Sequence, residues 1–497
     1  MSRLRFAREI YDVVIVGLGP TGATLAGLLG QQGVATLVLD REAEAYHLPR
    51  AVHFDDEVMR VLQTVGIADA MAQHCHVNPG MKFVASDGRV LLDWPRPQEL
   101  TSQGWHASYR FHQPQLEVQL RRALDRLPTV EVATLCEVKE LAQDDEVATV
   151  TFEDRRDGRL RNIRARYVVG CDGANSLVHR RIGGGMIDFG FEERWLVIDT
   201  LLKRPMPELG DHSIQFCDPV RPATYVRGTG NRRRWEITVL DEEDSAAIVS
   251  PERTWQLLSN WLTPEDAELE RTAVYTFKSR IAGQWRNGRL LIAGDAAHLT
   301  PPFMGQGMCA GIRDASNLAW KLALCARGCA PDGLLDTYES ERVPHAQAYI
   351  ETAVRLGHLI NQADTEAALR AALKMPDGTA QMNSIAPRLG PGLSAGDETH
   401  RGLLGWQMTS ESGLKIDDQA GHNFLLIADS TMTSHIDPMP GLLVVDDRTC
   451  SSATTYLAEL GCRAVMLRPD RYVLGTASTA AELADLCRTV QKITRAD

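Results

Sequence analysis

Apolar and polar positions alternate along this chain in segments that read as strands and helices in a fixed order. Residues Tyr11 to Val16 (YDVVIV) form a short β-branched run, followed by Gly17-Leu18-Gly19-Pro20-Thr21-Gly22 and an apolar-periodic stretch from Ala23 to Leu29. That is strand, glycine turn and helix. Val34 to Leu39 is the next strand and runs into Asp40. Two later apolar runs also end in a loop with one acid: Arg166 to Gly170 before Cys171-Asp172-Gly173, and Arg289 to Ala293 before Gly294-Asp295. Between them, residues 186–279 are rich in aromatic and β-branched residues and in turn signals, which predicts a mostly antiparallel sheet.

Helices are expected at Ala310 to Arg327 and within Leu334 to Leu356, and residues 374–398 carry the Gly, Pro, Ser and Asn of a linker. The last hundred residues read as a small α/β unit. Its strands are expected at Phe424 to Ala428, Leu442 to Val445, Ala464 to Leu467 and Tyr472 to Leu474, its helices at Ala453 to Leu460 and Ala480 to Gln491.

Composition narrows the classes. The 497 residues exceed one ordinary domain, and 53 basic against 65 acidic side chains leave a net charge of −12 with no basic run, a poor match to nucleic acid. No stretch reaches 18 uninterrupted apolar residues, so no membrane span is expected. The first nine residues carry three arginines and no apolar run, unlike a secretory signal. The ten cysteines form no CxxC pair, which fits reduced thiols and a cytoplasmic location. The histidines fall into no HExxH pattern and no G-x-S-x-G elbow occurs, so neither a metal site nor a serine nucleophile is expected.

The glycine turn carries the first chemistry. Gly17, Gly19 and Gly22 between a strand and a helix let backbone amides approach a pyrophosphate at the helix N-terminus. Asp40, 23 residues beyond Gly17, stands where an acid accepts ribose hydroxyls, with Arg41 beside it. This defines a dinucleotide site without separating NAD from FAD.

Cys171-Asp172-Gly173-Ala174-Asn175-Ser176, with Arg180 a turn later, resembles the DG motif of class A FAD-dependent aromatic hydroxylases. Gly294-Asp295-Ala296-Ala297-His298, followed by Pro301 and Gly305-Gln306-Gly307, resembles their second FAD motif. The resemblance implies an α/β architecture: a Rossmann-like FAD-binding domain (residues 1–185 and 280–373) interleaved with a β-sheet substrate domain (186–279). A thioredoxin-like C-terminal domain without CxxC (399–497) completes it. It implies FAD contacts from Asp172, Asp295, Arg50, Gln115, Gly305, Gly307 and Met308. Cys309 stands where the family often has asparagine.

It also implies an NAD(P)H-dependent monooxygenase that hydroxylates a phenol with O2 through a flavin C4a-hydroperoxide. Local runs such as Cys217-Asp218-Pro219-Val220-Arg221-Pro222 are similar to the 3-(3-hydroxyphenyl)propionate hydroxylases. A phenol of that kind, ortho-hydroxylated to a catechol, is therefore the expected substrate. Resorcinol or polyketide aromatics are alternatives, as is a flavin-binding interaction protein whose catalysis has lapsed. Tyr225, His212 and Arg227 are candidates for holding a phenol oxygen or a carboxylate, and Pro301 for the wall beside the flavin. A homodimer is a compatible assembly.

Overall fold

The computed structural model describes residues 6–45, 47–360, 367, 380–381, 384–433, 436 and 438–494. Parts of the expected linker, 374–379 and 382–383, lie outside the described residues.

A parallel sheet organises the first layer. Strand Ile10–Val16 pairs in parallel with Thr36–Leu39 on one side and with Arg159–Gly170 on the other, and Leu290–Ile292 extends the sheet beyond the latter. Val13, Val14 and Ile15 are fully buried, as a strand covered on both faces requires. Helices Pro20–Gln31 and Gly307–Ala326 cover one side. They meet closely because Gly311 has no side chain: a Cβ there would stand 2.3 Å from Thr21 Oγ1.

The second sheet is mostly antiparallel. It runs Ala267–Ala282, Met186–Leu202, Arg232–Thr238, Ala223–Arg227, Ser213–Cys217, Gly80–Ala85, Val90–Pro95. The last two strands come from outside 186–279 and join through the parallel pairing of Gly80–Ala85 with Ser213–Cys217. Its back face packs Leu196, Ile198, Tyr225, Trp235 and Ile237 into a separate core. Its front face looks toward the short turn Pro302–Met304.

The C-terminal layer follows the order strand, helix, strand, helix, strand, strand, helix. Phe424–Ala428 is parallel to Leu442–Asp446 and antiparallel to Ala464–Leu467, which pairs with Val473–Ala477. Buried charges join this layer to the first. Arg468 binds Glu341 through both Nη atoms at 2.8 Å, Lys321 Nζ reaches the same carboxylate at 2.7 Å, and Arg60 Nε meets Asp417 at 2.6 Å. Each partner is neutralised where burial alone would be prohibitive. No helix among the described residues is long and apolar enough to cross a membrane.

Candidate active site

The glycine turn has the form its chemistry needs. Gly17 has φ +103°, and a Cβ there would lie 2.4 Å from the carbonyl oxygen of Cys171. Gly19 precedes helix Pro20–Gln31 and has nothing within 4 Å of a Cβ position. The first intrahelical bond runs from Ala23 N to Gly19 O, so the amides before it face outward as anion donors. Asp40 Oδ2 accepts from Leu18 N at 2.6 Å and Oδ1 from Glu42 N at 2.8 Å, tying the second strand's end to the turn. Arg41 is exposed and pairs with Glu42 at 3.1 Å.

Asp295 lies across the cleft on the turn after Leu290–Ile292. Its side chain is open to solvent, with protein packed densely around it. That enclosure pushes its carboxyl pKa up, against the pull of His298 and Arg50. Arg50 therefore faces Asp295, on a loop gripped from the substrate sheet. Arg234 donates from Nη1 to Arg50 O at 2.6 Å, from Nη2 to Pro49 O at 2.7 Å and from Nε to Asp199 at 2.7 Å.

The loop after Asp295 ends in helix Gly307–Ala326. Its first intrahelical bond is Ala310 N to Gln306 O, leaving the amides of Gly307, Met308 and Cys309 without intrahelical acceptors. Gly305 has φ +63°, and a Cβ there would lie 2.9 Å from His53 Nδ1. A Cβ on Gly307 would meet nothing within 4 Å.

Several expected residues sit differently. Asp172 is spent on its own helix: Oδ1 accepts from Ser176 Oγ at 2.5 Å and Oδ2 from Leu177 N at 2.7 Å. Gln115 is exposed on the first turn of helix Gln113–Leu124, while the buried Gln113 accepts from Ala51 N at 2.7 Å. Cys309 is fully buried and turned toward the carbonyls of His53 and Gly305. Burial raises its thiol pKa, the opposite of a reactive thiolate. Its backbone amide still faces outward with its neighbours.

A cleft that takes in about 730 Å³ of space, part of it open to solvent, lies between the second sheet and Pro302–Gly305. Its walls include His53, Arg96, Arg110, Gln215, Thr224 and Glu236. Tyr225 is not among them. Strand alternation turns Thr224 and Val226 to the cavity and Tyr225 to the back core, 5.1 Å from Trp235. His212 also lies off the lining, one residue before the lining Ser213, and burial with Lys82 nearby lowers its pKa. Pro301 is buried behind Pro302 and opens the turn rather than lining the cavity. Arg227 donates to Gly230 O and pairs with Asp211 at 3.2 Å, away from the cavity.

The basic end of the cavity comes from residues the sequence did not single out. His53 Nε2 is 2.7 Å from Ser108 Oγ, and burial together with Arg96 pulls its pKa down to about 4. Arg96 stacks 4.2 Å over Trp94, and burial lowers its pKa to about 10. Arg110 is buried, donating to Asp211 O at 2.6 Å and Asn78 Oδ1 at 2.7 Å, and its pKa is likewise lowered to about 10. One signal was in reach: His53 stands three residues beyond Arg50, where that loop enters strand His53–Asp55.

FAD fits these residues. The turn at Gly17 and Gly19 offers a pyrophosphate cradle that any side chain would fill, Asp295 offers an acceptor for ribityl hydroxyls, and the Gly307 helix end offers amides to the flavin pyrimidine edge.

Comparison with known proteins agrees. Residues 10–353 match the family described as FAD binding domain. A probable NADH-specific resorcinol 4-hydroxylase of Rhodococcus jostii (strain RHA1) is 40% identical over 97% of this chain and 94% of its own length. A 3-(3-hydroxy-phenyl)propionate/3-hydroxycinnamic acid hydroxylase of Mycolicibacterium smegmatis is 39% identical over 72% of this chain, and the match spans 63% of that relative. Among solved structures, the flavin-dependent monooxygenase PieE in complex with FAD and substrate aligns with TM-score 0.82 at 20% identity. That alignment covers 98% of this chain and 99% of the other. Aklavinone-11 hydroxylase with FAD and aklavinone aligns with TM-score 0.79 at 22% identity, covering 97% and 99%. The fold and the cradle define a flavoprotein. The chain belongs to the FAD-binding family of flavin-dependent aromatic hydroxylases.

Proposed function

We propose that this chain catalyses NADH-dependent hydroxylation of a small phenol, bound in the cavity between the second sheet and Pro302–Gly305. The observation that carries this is the basic end of that cavity, His53 with Arg96 and Arg110, beside the loop that leads to the flavin helix. FAD, when bound and reduced by NADH, supplies the activation of dioxygen. Overall, phenol, NADH, a proton and O2 become hydroxyphenol, NAD⁺ and water.

The protein's part is positioning and proton control. His53 is neutral at pH 7 because burial and Arg96 hold its pKa near 4, so its imidazole accepts a hydrogen bond from the phenol while the proton itself leaves to solvent. Arg96 and Arg110 stabilise the phenolate that results, and a phenolate is the more electron-rich ring. The Pro302–Gly305 turn closes the cavity on the flavin side and limits water. Cofactor contacts in this reading come from Gly17, Gly19, Gly22, Asp40, Arg50, Asp295, Gly305 and Gly307, with the backbone of Met308 and Cys309. With the Cys309 side chain turned away, the departure from asparagine gives no reason to infer lapsed catalysis.

Both relatives' substrates agree with a phenol. Similarity over nearly the whole chain favours a resorcinol type, and the shorter match favours the 3-(3-hydroxyphenyl)propionate type. The C-terminal layer reads as thioredoxin-like, supported by its strand order and pairing directions. The test is NADH consumption by purified yellow protein with each phenol, with ¹⁸O2 incorporation into product. Absence of aromatic-stimulated oxidation, or of label, would refute the proposal.

A further inference from the structure

Glu236 is a carboxylate the reaction outlined above does not use. It sits on strand Arg232–Thr238 between Trp235 and Ile237, both buried on the back face, so alternation aims it into the cavity. Three cavity-facing polar residues stand in a row across adjacent strands, with Gln215 opposite Thr224 and Thr224 opposite Glu236. The first two satisfy each other: Thr224 Oγ1 donates to Gln215 Oε1 at 2.6 Å, and Gln215 Nε2 donates to Ala223 O at 3.1 Å.

Glu236 has no such arrangement. Its nearest cation, Arg234 Nη1, is 3.7 Å from Oε1, and that guanidinium is committed to Asp199, Pro49 and Arg50. Among the described residues no donor is within hydrogen-bond distance of its carboxylate. Burial, outweighing Arg234, raises its pKa. The carboxyl keeps 13% of its side-chain surface exposed, toward the cavity, and Val226 on the same face shows that an apolar residue is accommodated there. A ligand that displaces cavity water from this carboxyl must supply a donor in its place, because a carboxyl left without one is costly.

We infer that Glu236 accepts a hydrogen bond from a second hydroxyl of the substrate and so selects a meta-diphenol over a phenol bearing a carboxylate. This rests on the phenol-hydroxylase reading. Arg110 reaches Ser213 Oγ, on the strand two places from that of Glu236 and two residues along from Gln215, so the backbone positions of the basic end and the acid lie roughly 12 Å apart on the diagonal, a gap the two side chains shorten. A benzene ring with hydroxyls at the 1 and 3 positions spans such a gap with a hydrogen bond at each end. A carboxylate at the Glu236 end meets like charge and no donor.

The experiment compares wild type, Glu236→Gln and Glu236→Leu as FAD-loaded holoenzymes. Resorcinol, 3-methylphenol and 3-(3-hydroxyphenyl)propionate are titrated by flavin absorbance, which reads binding without turnover, and NADH oxidation is followed in parallel. Wild type is expected to bind resorcinol ~10-fold or more tighter than 3-methylphenol. Glu236→Leu should erase that ratio, Glu236→Gln should keep most of it, and both should improve binding of the propionate. A resorcinol preference unchanged in Glu236→Leu, or absent in wild type, overturns the inference. Failure of every phenol to stimulate wild-type NADH oxidation overturns the functional reading instead, and the binding ratio still decides the role of Glu236.

Discussion

Tyr472 Oη, in the C-terminal layer, donates a hydrogen bond to Glu57 Oε1 at 2.5 Å across 415 residues of sequence. Glu57 also pairs with Arg313, whose Nη1 donates to Gln306 Oε1 at 3.0 Å. Gln306 is the residue before helix Gly307–Ala326, so the last layer of the chain braces the start of the flavin helix. Tyr472→Phe removes one donor from a buried carboxylate and is expected to lower unfolding free energy by about 1–3 kcal/mol. Urea denaturation of the holoenzyme measures this, and a wild-type midpoint contradicts it.

The glycine turn separates folding from cofactor binding. Gly17→Ala forces a Cβ against the Cys171 carbonyl at positive φ, so it should destabilise the fold by more than about 1 kcal/mol. Gly19→Ala meets no protein atom and should leave the melting temperature of the apoprotein unchanged while weakening FAD binding. Equal effects of the two on apoprotein stability would argue against this division.

Asp295→Ala should weaken FAD binding by roughly 1.5–3 kcal/mol through loss of a charge-assisted hydrogen bond to a sugar hydroxyl. Titration of apoprotein with FAD, followed by flavin fluorescence, gives the dissociation constant. Unchanged retention removes Asp295 from the cofactor set.

In the proposed reading His53 accepts a hydrogen bond from the phenol, which it does only when neutral, and its pKa is held near 4. The acid limb of kcat/KM is therefore expected near pH 4, well below an ordinary histidine. His53→Ala should lower kcat/KM by ~10-fold with FAD still bound. An acid limb near pH 6.5 that survives the substitution would exclude His53 as its source.

Asp314 accepts from His298 at 2.6 Å and from Arg342 at 2.8 Å in full burial, and these partners hold its pKa down at about 2 despite that burial. A carboxyl depressed in the folded state adds stability above its unfolded pKa near 4 and loses it as pH falls toward 2. That contribution is roughly 2 kcal/mol. Unfolding free energy should be level above pH 5 and fall between 4 and 2, with a shallower fall in Asp314→Asn.

The proposed cofactor half of the site is legible because its signals are local. Gly17, Gly19 and Asp40 lie within one βαβ unit, and Asp295 through Gly307 in one loop, so spacing alone brings them together. The proposed substrate half is not. Tyr225 was singled out from a strand whose face could not be assigned without its neighbours, and pairing with Trp235 turns it to the core. His53, Arg96, Arg110 and Glu236 come from four segments. They meet because Gly80–Ala85 pairs with Ser213–Cys217, a contact between strands more than a hundred residues apart. Asp172 was legible as a motif and not as a role, since an Asp-Gly turn and a helix cap share one sequence.

The alternation of the second sheet has a consequence for how this enzyme can change. Gln215, Thr224, Val226 and Glu236 face the cavity, while Tyr225, Trp235 and Ile237 on the same strands hold the back core. The proposed substrate contacts and the back core thus fall on interleaved positions of the same strands. Val226 can vary alone, whereas the buried Gln215 and Thr224 bond each other and must change as a pair, so a directed-evolution library aimed at a new aromatic ring treats those two as one coupled position.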